Sequence, residues 1–222
     1  MVANNIANAS TAGFKKDSEF YGVYQQAEAE RWGDDNMLPV VEKNWTDYSQ
    51  GTLQPTGNHL DFAISGKGWF ALQGSAGPLY TRNGGFHVNS TGGVVSQEGL
   101  PVRLAGGNPL RIRPDVPVIV GGDGTLTQGG LALGKLEVVE FPDNALVKQG
   151  NTLFRPTDPS VTGKPAGPET EVQQGKLEGA NVSSAESAVR LVSLTRQFEA
   201  LQRAITLGAE MSRKAIEEVA RV

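Results

Sequence analysis

Cysteine is absent from this chain of 222 residues. Its absence excludes a disulfide framework, a thiolate metal site and a cysteine nucleophile. Histidine is nearly absent, since only His59 and His87 occur and neither lies in a metalloprotease motif. Two histidines cannot build a multi-histidine metal cage, so we expect no metal and no other cofactor.

Long apolar runs and an excess of positive charge are also missing. No stretch of about 18 apolar residues could span a bilayer, and the first residues lack the pattern of a secretory signal peptide. The formal net charge is -4, so no broad positive field favours nucleic acid or anionic lipid. We therefore expect no membrane insertion and no nucleic-acid partner.

Catalytic motifs are weak or incomplete. The stretch GGLALGK at 129–135 has the spacing of a phosphate-binding loop, but Leu136 follows where a Ser or Thr should bind magnesium, and the next residues resemble a strand. No GxSxG sequence supports a serine hydrolase. Asp61, Glu137 and Glu140 could in principle pair, but sequence cannot place them together. The chain is predicted to be no enzyme and to have no small-molecule substrate.

What the chain has in abundance is glycine, and its distribution divides the sequence. Of 28 glycines, 22 fall between Gly51 and Gly167, and the last proline is Pro168. Short β-branched or aromatic segments between the turns predict strands. These segments are DFAIS at 61–65, WFALQ at 69–73, PVIV at 117–120 and KLEVVEF at 135–141. Because no helix alternates with them, a mainly β, antiparallel, turn-rich central domain is expected.

The carboxy-terminal sequence has a different period. Ser183 followed by Glu186 matches a capping box and predicts the start of a long helix. Steps of three and four residues then trace a heptad seam, which is typical of a coiled-coil strand. The seam consists of Leu191, Leu194, Phe198, Leu201, Ile205, Gly208, Ser212, Ala215, Val219 and Val222. A long amphipathic helix packed on its own domain is the alternative that the pattern leaves open.

The opening sequence, MVANNIANASTAGFKK, is typical of a helix end. Val2 and Ile6 could share one helix face, with Asn4, Asn5 and Asn8 on other faces. Asparagine is a poor residue for a helix interior, so the segment is predicted to leave a helix for a loop.

Five motifs, in order along the chain, resemble the axial proteins of the bacterial flagellum, the family of its rod and hook. The motifs are VANNIANASTAGFKK at 2–16, GTLQPTGNHLDFAISGKGWFAL at 51–72, YTRNGGFHVNSTGGVVSQEG at 80–99, GKLEVVEFPDNALVKQGNTLFRP at 134–156 and QQGKLEGANVSSAESAVRLVSLTRQFEAL at 174–201. Within this family the chain is most similar to the proximal rod members, with distal rod or hook-type members as the near alternative. A periplasmic binding module or cell-wall enzyme with an oligomerising helix is a further alternative.

The resemblance implies a structural subunit whose terminal helices pair as a coiled coil and assemble into a torque-transmitting rod. Implied partners are copies of the chain, other rod subunits and the flagellar type III export apparatus, which passes the chain without a cleavable signal into a basal body that spans the periplasm. The amino-terminal partner helix is expected to be mostly missing from this sequence, as in a shortened chain or a misplaced start. The implied assembly residues are Val2, Asn4, Asn5, Ile6, Asn8, Phe14, Leu191, Leu194, Phe198, Leu201 and Ile205.

The expected division of the chain follows from the same likeness. It comprises a helical assembly remnant at 1–16, an extended connector at 17–50, the β-rich domain at 51–168, a return connector at 169–182 and the coiled-coil helix at 183–222.

Overall fold

A computed structural model describes residues 1–25, 37–142, 144–158 and 160–219, with backbone alone for 19–25, 37–44, 215 and 217–219. Along the chain, the helix α1 (Val2–Ala7) precedes the strands and the helix α2 (Ser184–Val219) follows them. The strands are β1 (Asp17–Gln25), β2 (Met37–Thr46), β3 (Leu53–Pro55), β4 (Phe62–Ser65), β5 (Trp69–Gly74), β6 (Gly77–Thr81), β7 (His87–Val88), β8 (Val94–Val95), β9 (Val118–Val120), β10 (Thr125–Gln128), β11 (Leu131–Lys135), β12 (Val138–Glu140), β13 (Leu146–Lys148), β14 (Leu153–Pro156), β15 (Lys164–Pro165), β16 (Glu171–Gln174) and β17 (Lys176–Glu178).

Every strand pairing among the described residues is antiparallel. The largest sheet has six strands in the order β13-β14-β6-β5-β12-β15, and a second has the order β11-β10-β9. Two-stranded sheets form from β1-β2, β16-β4, β17-β3 and β7-β8. The prediction of an antiparallel, turn-rich β region followed by one long helix is therefore confirmed.

Strand β5 explains how the β region is packed. Successive side chains of a strand point to opposite faces. Phe70 and Leu72 lie in one buried cluster, with Phe62 and Ile64 among others, whereas Trp69 and Ala71 lie in a second cluster. The unbroken apolar run WFAL in β5 therefore reflects a strand that is buried on both faces.

The predicted strands are found, with one correction. The segments 61–65, 69–73 and 117–120 contain β4, most of β5 and β9. The segment KLEVVEF at 135–141 is not one strand, because Lys135 ends β11 and β12 begins at Val138. Between them the amide of Leu136 bonds to Gly124 O at 2.8 Å and that of Glu137 to Arg103 O at 3.0 Å. The chain passes there from the three-stranded to the six-stranded sheet.

The two predicted connectors contain regular structure. Residues 17–50 include the β1-β2 pair, whose register runs from Asp17 opposite Thr46 to Gln25 opposite Met37. Residues 169–182 contain β16 and β17, which pair with β4 and β3. The return segment is thus joined to the β region by backbone hydrogen bonds, and the domain limits drawn from the sequence stay predictions.

Helix α2 starts where the sequence predicts. The Glu186 N–H donates to Ser183 Oγ at 3.3 Å, which is the serine half of a capping box. The helix contains 36 residues and is about 54 Å long at 1.5 Å per residue.

Candidate assembly interface

Large apolar side chains are exposed along α2 in the isolated chain. Leu191, Leu194, Phe198, Leu201 and Ile205 are all exposed, from 41% at Leu191 to 72% at Ile205. Full burial of one such side chain contributes about 1.5–3 kcal/mol, so this stripe favours contact with another apolar surface. Among the described residues, no helix combines the length and apolarity needed to cross a bilayer.

Exposed apolar side chains of α2 also lie off the predicted seam. Val189, Val192, Leu207 and Met211 are exposed. With 3.6 residues per turn, Val189 and Leu207 lie about 120° around the helix from Leu201. Helix α2 therefore presents apolar surface in more than one direction, which a single heptad register did not predict.

The short helix α1 lies against α2. Val2 and Ile6, which belong to α1, are half-buried. Asn8 ends the helix, and its Nδ2 donates to Asn4 O at 2.9 Å. Asn5 joins α1 to the start of β1, because its Nδ2 donates to Asp17 O at 2.8 Å and its Oδ1 accepts from Asp17 N at 3.0 Å. Asn5 and Asn8 thus satisfy backbone groups within this chain, and the role of Asn4, Asn5 and Asn8 in assembly stays a prediction.

Phe14, another predicted assembly residue, is fully buried. The ammonium of Lys148 lies 4.2 Å from the centre of its ring, a cation–π contact. The same ammonium donates to Lys15 O at 2.6 Å and to Asp17 Oδ2 at 2.8 Å. In this structure Phe14 therefore contributes to packing within the chain.

Residues 13–17, named here the amino-terminal strap, meet residues 178–183, the helix root that leads into α2. The contact centres on Glu178, whose side chain is fully buried. Lys15 Nζ lies 2.6 Å from Glu178 Oε1, and Arg82 Nη1 lies 3.1 Å from Oε2. The Gly51 amide donates to Oε1 at 2.9 Å. One carboxylate therefore joins the strap to the β region.

The charges of this cluster are removed from water. Burial lowers the pKa of Lys15 below its ordinary value, although the charge of Glu178 opposes that shift. Lys15 Nζ also donates to Ser49 O at 2.6 Å. Arg82 donates to Gly66 O at 2.7 Å and lies over the Trp69 ring at 5.5 Å. Because loss of Glu178 would leave Arg82 buried without a counter-ion, these two side chains hold each other in place.

Asn181, in the helix root, bonds to the strap and the connector together. Its amide N–H donates to Phe14 O at 3.3 Å, and its Oδ1 accepts from the Lys16 amide at 2.7 Å. Its Nδ2 donates to Asp47 O at 2.7 Å and to Ser49 O at 3.2 Å. These bonds fix the chain immediately before α2.

No sequence pattern marked Lys15, Arg82, Glu178 or Asn181 as site residues. Lys15 and Glu178 are 163 positions apart, and no local period links them. The available signal was weak: three of these residues lie in the first and last family-like motifs, and Arg82 lies in the third.

The candidate catalytic residues have separate partners. Asp61 accepts from Thr56 Oγ1 at 2.6 Å and from Asn58 Nδ2 at 3.0 Å, which stabilises its own loop. Glu137 Oε2 lies 2.9 Å from Arg103 Nε, and Glu140 accepts from Thr170 Oγ1 at 3.3 Å.

The remaining candidates lie on the surface or in a hairpin. His59 and His87 are exposed, and the described residues contain no group of three or more His, Asp or Glu that could hold a metal ion. The loop at 129–135 is the β10-β11 hairpin, in which Gly129 and Gly130 have φ of 58° and 80°. Two positive φ values suit a tight hairpin turn, and a strand follows it where a phosphate site needs a helix.

Comparison with known proteins identifies the family. The model described as flagellar hook protein FlgE/F/G D1 domain matches residues 63–128, and that described as flagellar basal body rod FlgEFG protein C-terminal matches residues 173–218. The flagellar basal-body rod protein FlgF of Caulobacter vibrioides is 35% identical over 100% of this chain and 91% of its own length. FlgF of Mesorhizobium japonicum is 33% identical over 97% and 89%. A rod protein named FlgG, from Agrobacterium fabrum, is 31% identical over 96% and 90%.

Fold and similarities together define an axial protein of the bacterial flagellum. The chain belongs to the family of flagellar basal-body rod proteins. The prediction of a rod protein most like the proximal type is confirmed, and a structural rod subunit fits better than the alternatives.

Proposed function

We propose that this rod subunit assembles with copies of itself and with other rod subunits through its terminal helices, forming a drive shaft that transmits torque for motility. The exposed apolar surface of α2 carries the proposal, because a helix that leaves such side chains in water gains stability when a second helix covers them. The position of α1 against α2 supports pairing of the coiled-coil type.

In this proposal the seam residues Leu191, Leu194, Phe198, Leu201 and Ile205 make the helix contacts, with Val2 and Ile6 on the opposing side. Asn4, Asn5, Asn8 and Phe14 hold the amino-terminal segment in place. The β-rich domain at 51–168 faces outward, and the segments 17–50 and 169–182 join it to the helices.

A matched pair of variants tests the helical interface in flagellated cells. Leu201→Asp places a charge in the seam, whereas Thr206→Asp places the same charge on an exposed residue about 140° around α2. Burial of an unpaired carboxylate is very unfavourable, so Leu201→Asp should abolish incorporation into purified basal bodies and swimming. Thr206→Asp should retain both.

Two results would argue against the helical interface. One is normal incorporation of Leu201→Asp, and the other is equal loss of incorporation in both variants. Equal amounts of the two proteins in whole cells, measured by immunoblotting, control for degradation.

Localisation to the flagellar basal body follows from the family, and the proposal extends it to a position across the periplasm. The subunit is proposed to leave the cytoplasm through the flagellar type III export apparatus without cleavage. Cells that lack this apparatus should therefore retain the protein in the cytoplasm at its full translated mass, as mass spectrometry can establish.

The subunit is further proposed to perform no chemistry and to bind no cofactor. Asp61, Glu137 and Glu140 each serve a separate local contact, which supports this reading. Incubation with purified cell-wall polymer should give neither hydrolysis nor retention. Cleavage that is lost in the Glu137→Gln or Glu140→Gln variant would contradict the proposal.

A further inference from the structure

We propose that the amino-terminal strap is a detachable clamp that sets the direction of α2. When the strap is docked, the helix root is held between strap, connector and β region. When it is released, α2 stays attached to the β region, and Asn181 stays bonded to the connector, but the direction of α2 varies more widely.

The division of contacts along the helix root supports this. Up to Gly179 the root is held by the β region, because β17 pairs with β3 and the Gly179 amide donates to Thr52 O at 2.8 Å. At Asn181 the bonds go instead to Phe14 and Lys16 of the strap and to the connector. The last fixed point before α2 is therefore held jointly by the strap and the connector.

Release of the strap leaves the buried carboxylate of Glu178 with a counter-ion. Arg82 and Glu178 remain a pair at 3.1 Å, and Arg82 retains its bonds to the carbonyls of Ile64 and Gly66. Lys15 returns to water. An ordinary buried ion pair has no such open state, since separating it leaves a charge in the core. The cluster is thus built so that one member can leave, and local opening of this kind needs less free energy than global unfolding.

Gly13 gives a way to open the clamp without altering any charge. Its φ is 68°, its amide donates to Glu178 O at 2.7 Å, and a Cβ built on it would lie 2.2 Å from the Asn83 nitrogen. Gly57 is the matched control, because its φ is 75° and a Cβ there meets nothing within 4 Å. Both alanine variants carry the strain of a positive φ, but only Gly13→Ala prevents docking.

The test measures the direction of α2 in the full chain. Because the chain lacks cysteine, Thr91→Cys and Ala188→Cys can carry nitroxide labels on the β region and the first turns of α2. Pulsed electron resonance should show a distance distribution about twice as wide in Gly13→Ala as in Gly57→Ala. Asn181→Ala, which removes the side-chain bonds of the root without a clash, should widen it similarly.

Hydrogen exchange in the same proteins separates a clamp from general destabilisation. The amides of Lys16 and Asn181 should exchange at least about tenfold faster in Gly13→Ala, while those of Ala71 and Val94 in the β region keep their protection. An unchanged distance distribution in Gly13→Ala and Asn181→Ala would overturn the proposal. So would loss of protection throughout the β region, because the strap would then not be a separable unit.

Discussion

Replacement of Glu178 by Gln tests the claim that one carboxylate holds the strap and the β region together. The side chains of Lys15 and Glu178 are fully buried and that of Arg82 is 5% exposed. Glu178→Gln keeps the shape of the side chain but leaves Arg82, and Lys15 while the strap is docked, without a counter-ion. Loss of one partner of a buried ion pair costs about 3–5 kcal/mol, and we expect a loss of this size in the free energy of unfolding.

The assay is urea unfolding at pH 7, followed by circular dichroism. With a slope of about 2 kcal/mol per molar urea, the midpoint should fall by about 1.5–2.5 M. Glu199→Gln is the control, because Glu199 lies 3.9 Å from Arg203 in an exposed pair on α2 and should change stability by less than about 0.5 kcal/mol. A loss below about 1 kcal/mol in Glu178→Gln, or equal losses in both variants, would refute this account of the cluster.

Two further predictions concern Tyr48 and α2. Burial, with the charge of Asp17, raises the pKa of Tyr48. The stability that the neutral phenol contributes is therefore complete below the unfolded pKa of about 10 and is lost as the pH rises through the folded pKa. Tyr48→Phe should lower the free energy of unfolding by about 1 kcal/mol at pH 7, because the Tyr48 hydroxyl donates to Leu146 O at 2.8 Å. In urea unfolding, the variant should also show a weaker decline in stability above about pH 10. An unchanged alkaline decline would contradict this assignment. In the monomer at low concentration, amides of α2 from about Ser193 onward should exchange fast and those of β5 and β12 slowly, because no partner covers the helix. Uniform protection in a strictly monomeric sample would refute that prediction.

Local patterns predicted much of the fold. The apolar segments at 61–65 and 69–73 contain strands, and Ser183 begins a helix whose apolar period continues for many turns. These features depend on neighbouring residues, which a sequence displays directly.

Features that depend on distant residues were not predictable. The pairing of β17 with β3, and the meeting of Lys15, Arg82 and Glu178, follow from how the chain returns to its own start. Lysine and glutamate in isolation are typical of a solvated surface, so their complete burial has no local signal. The break of KLEVVEF at Leu136 is similar, because it results from a change of sheet and not from a turn residue.

The most direct measurement is maleimide labelling of a single-cysteine variant in purified basal bodies. Phe198→Cys places a thiol in the exposed seam of a cysteine-free chain, and Thr91→Cys places one on the surface of the β region. If rod subunits contact one another through α2, the Phe198→Cys thiol should react with maleimide in the free subunit and be protected in the assembled rod, whereas the Thr91→Cys thiol should react in both states. A freely reactive Phe198→Cys thiol in assembled basal bodies would show that the seam is uncovered in the rod and would contradict the account.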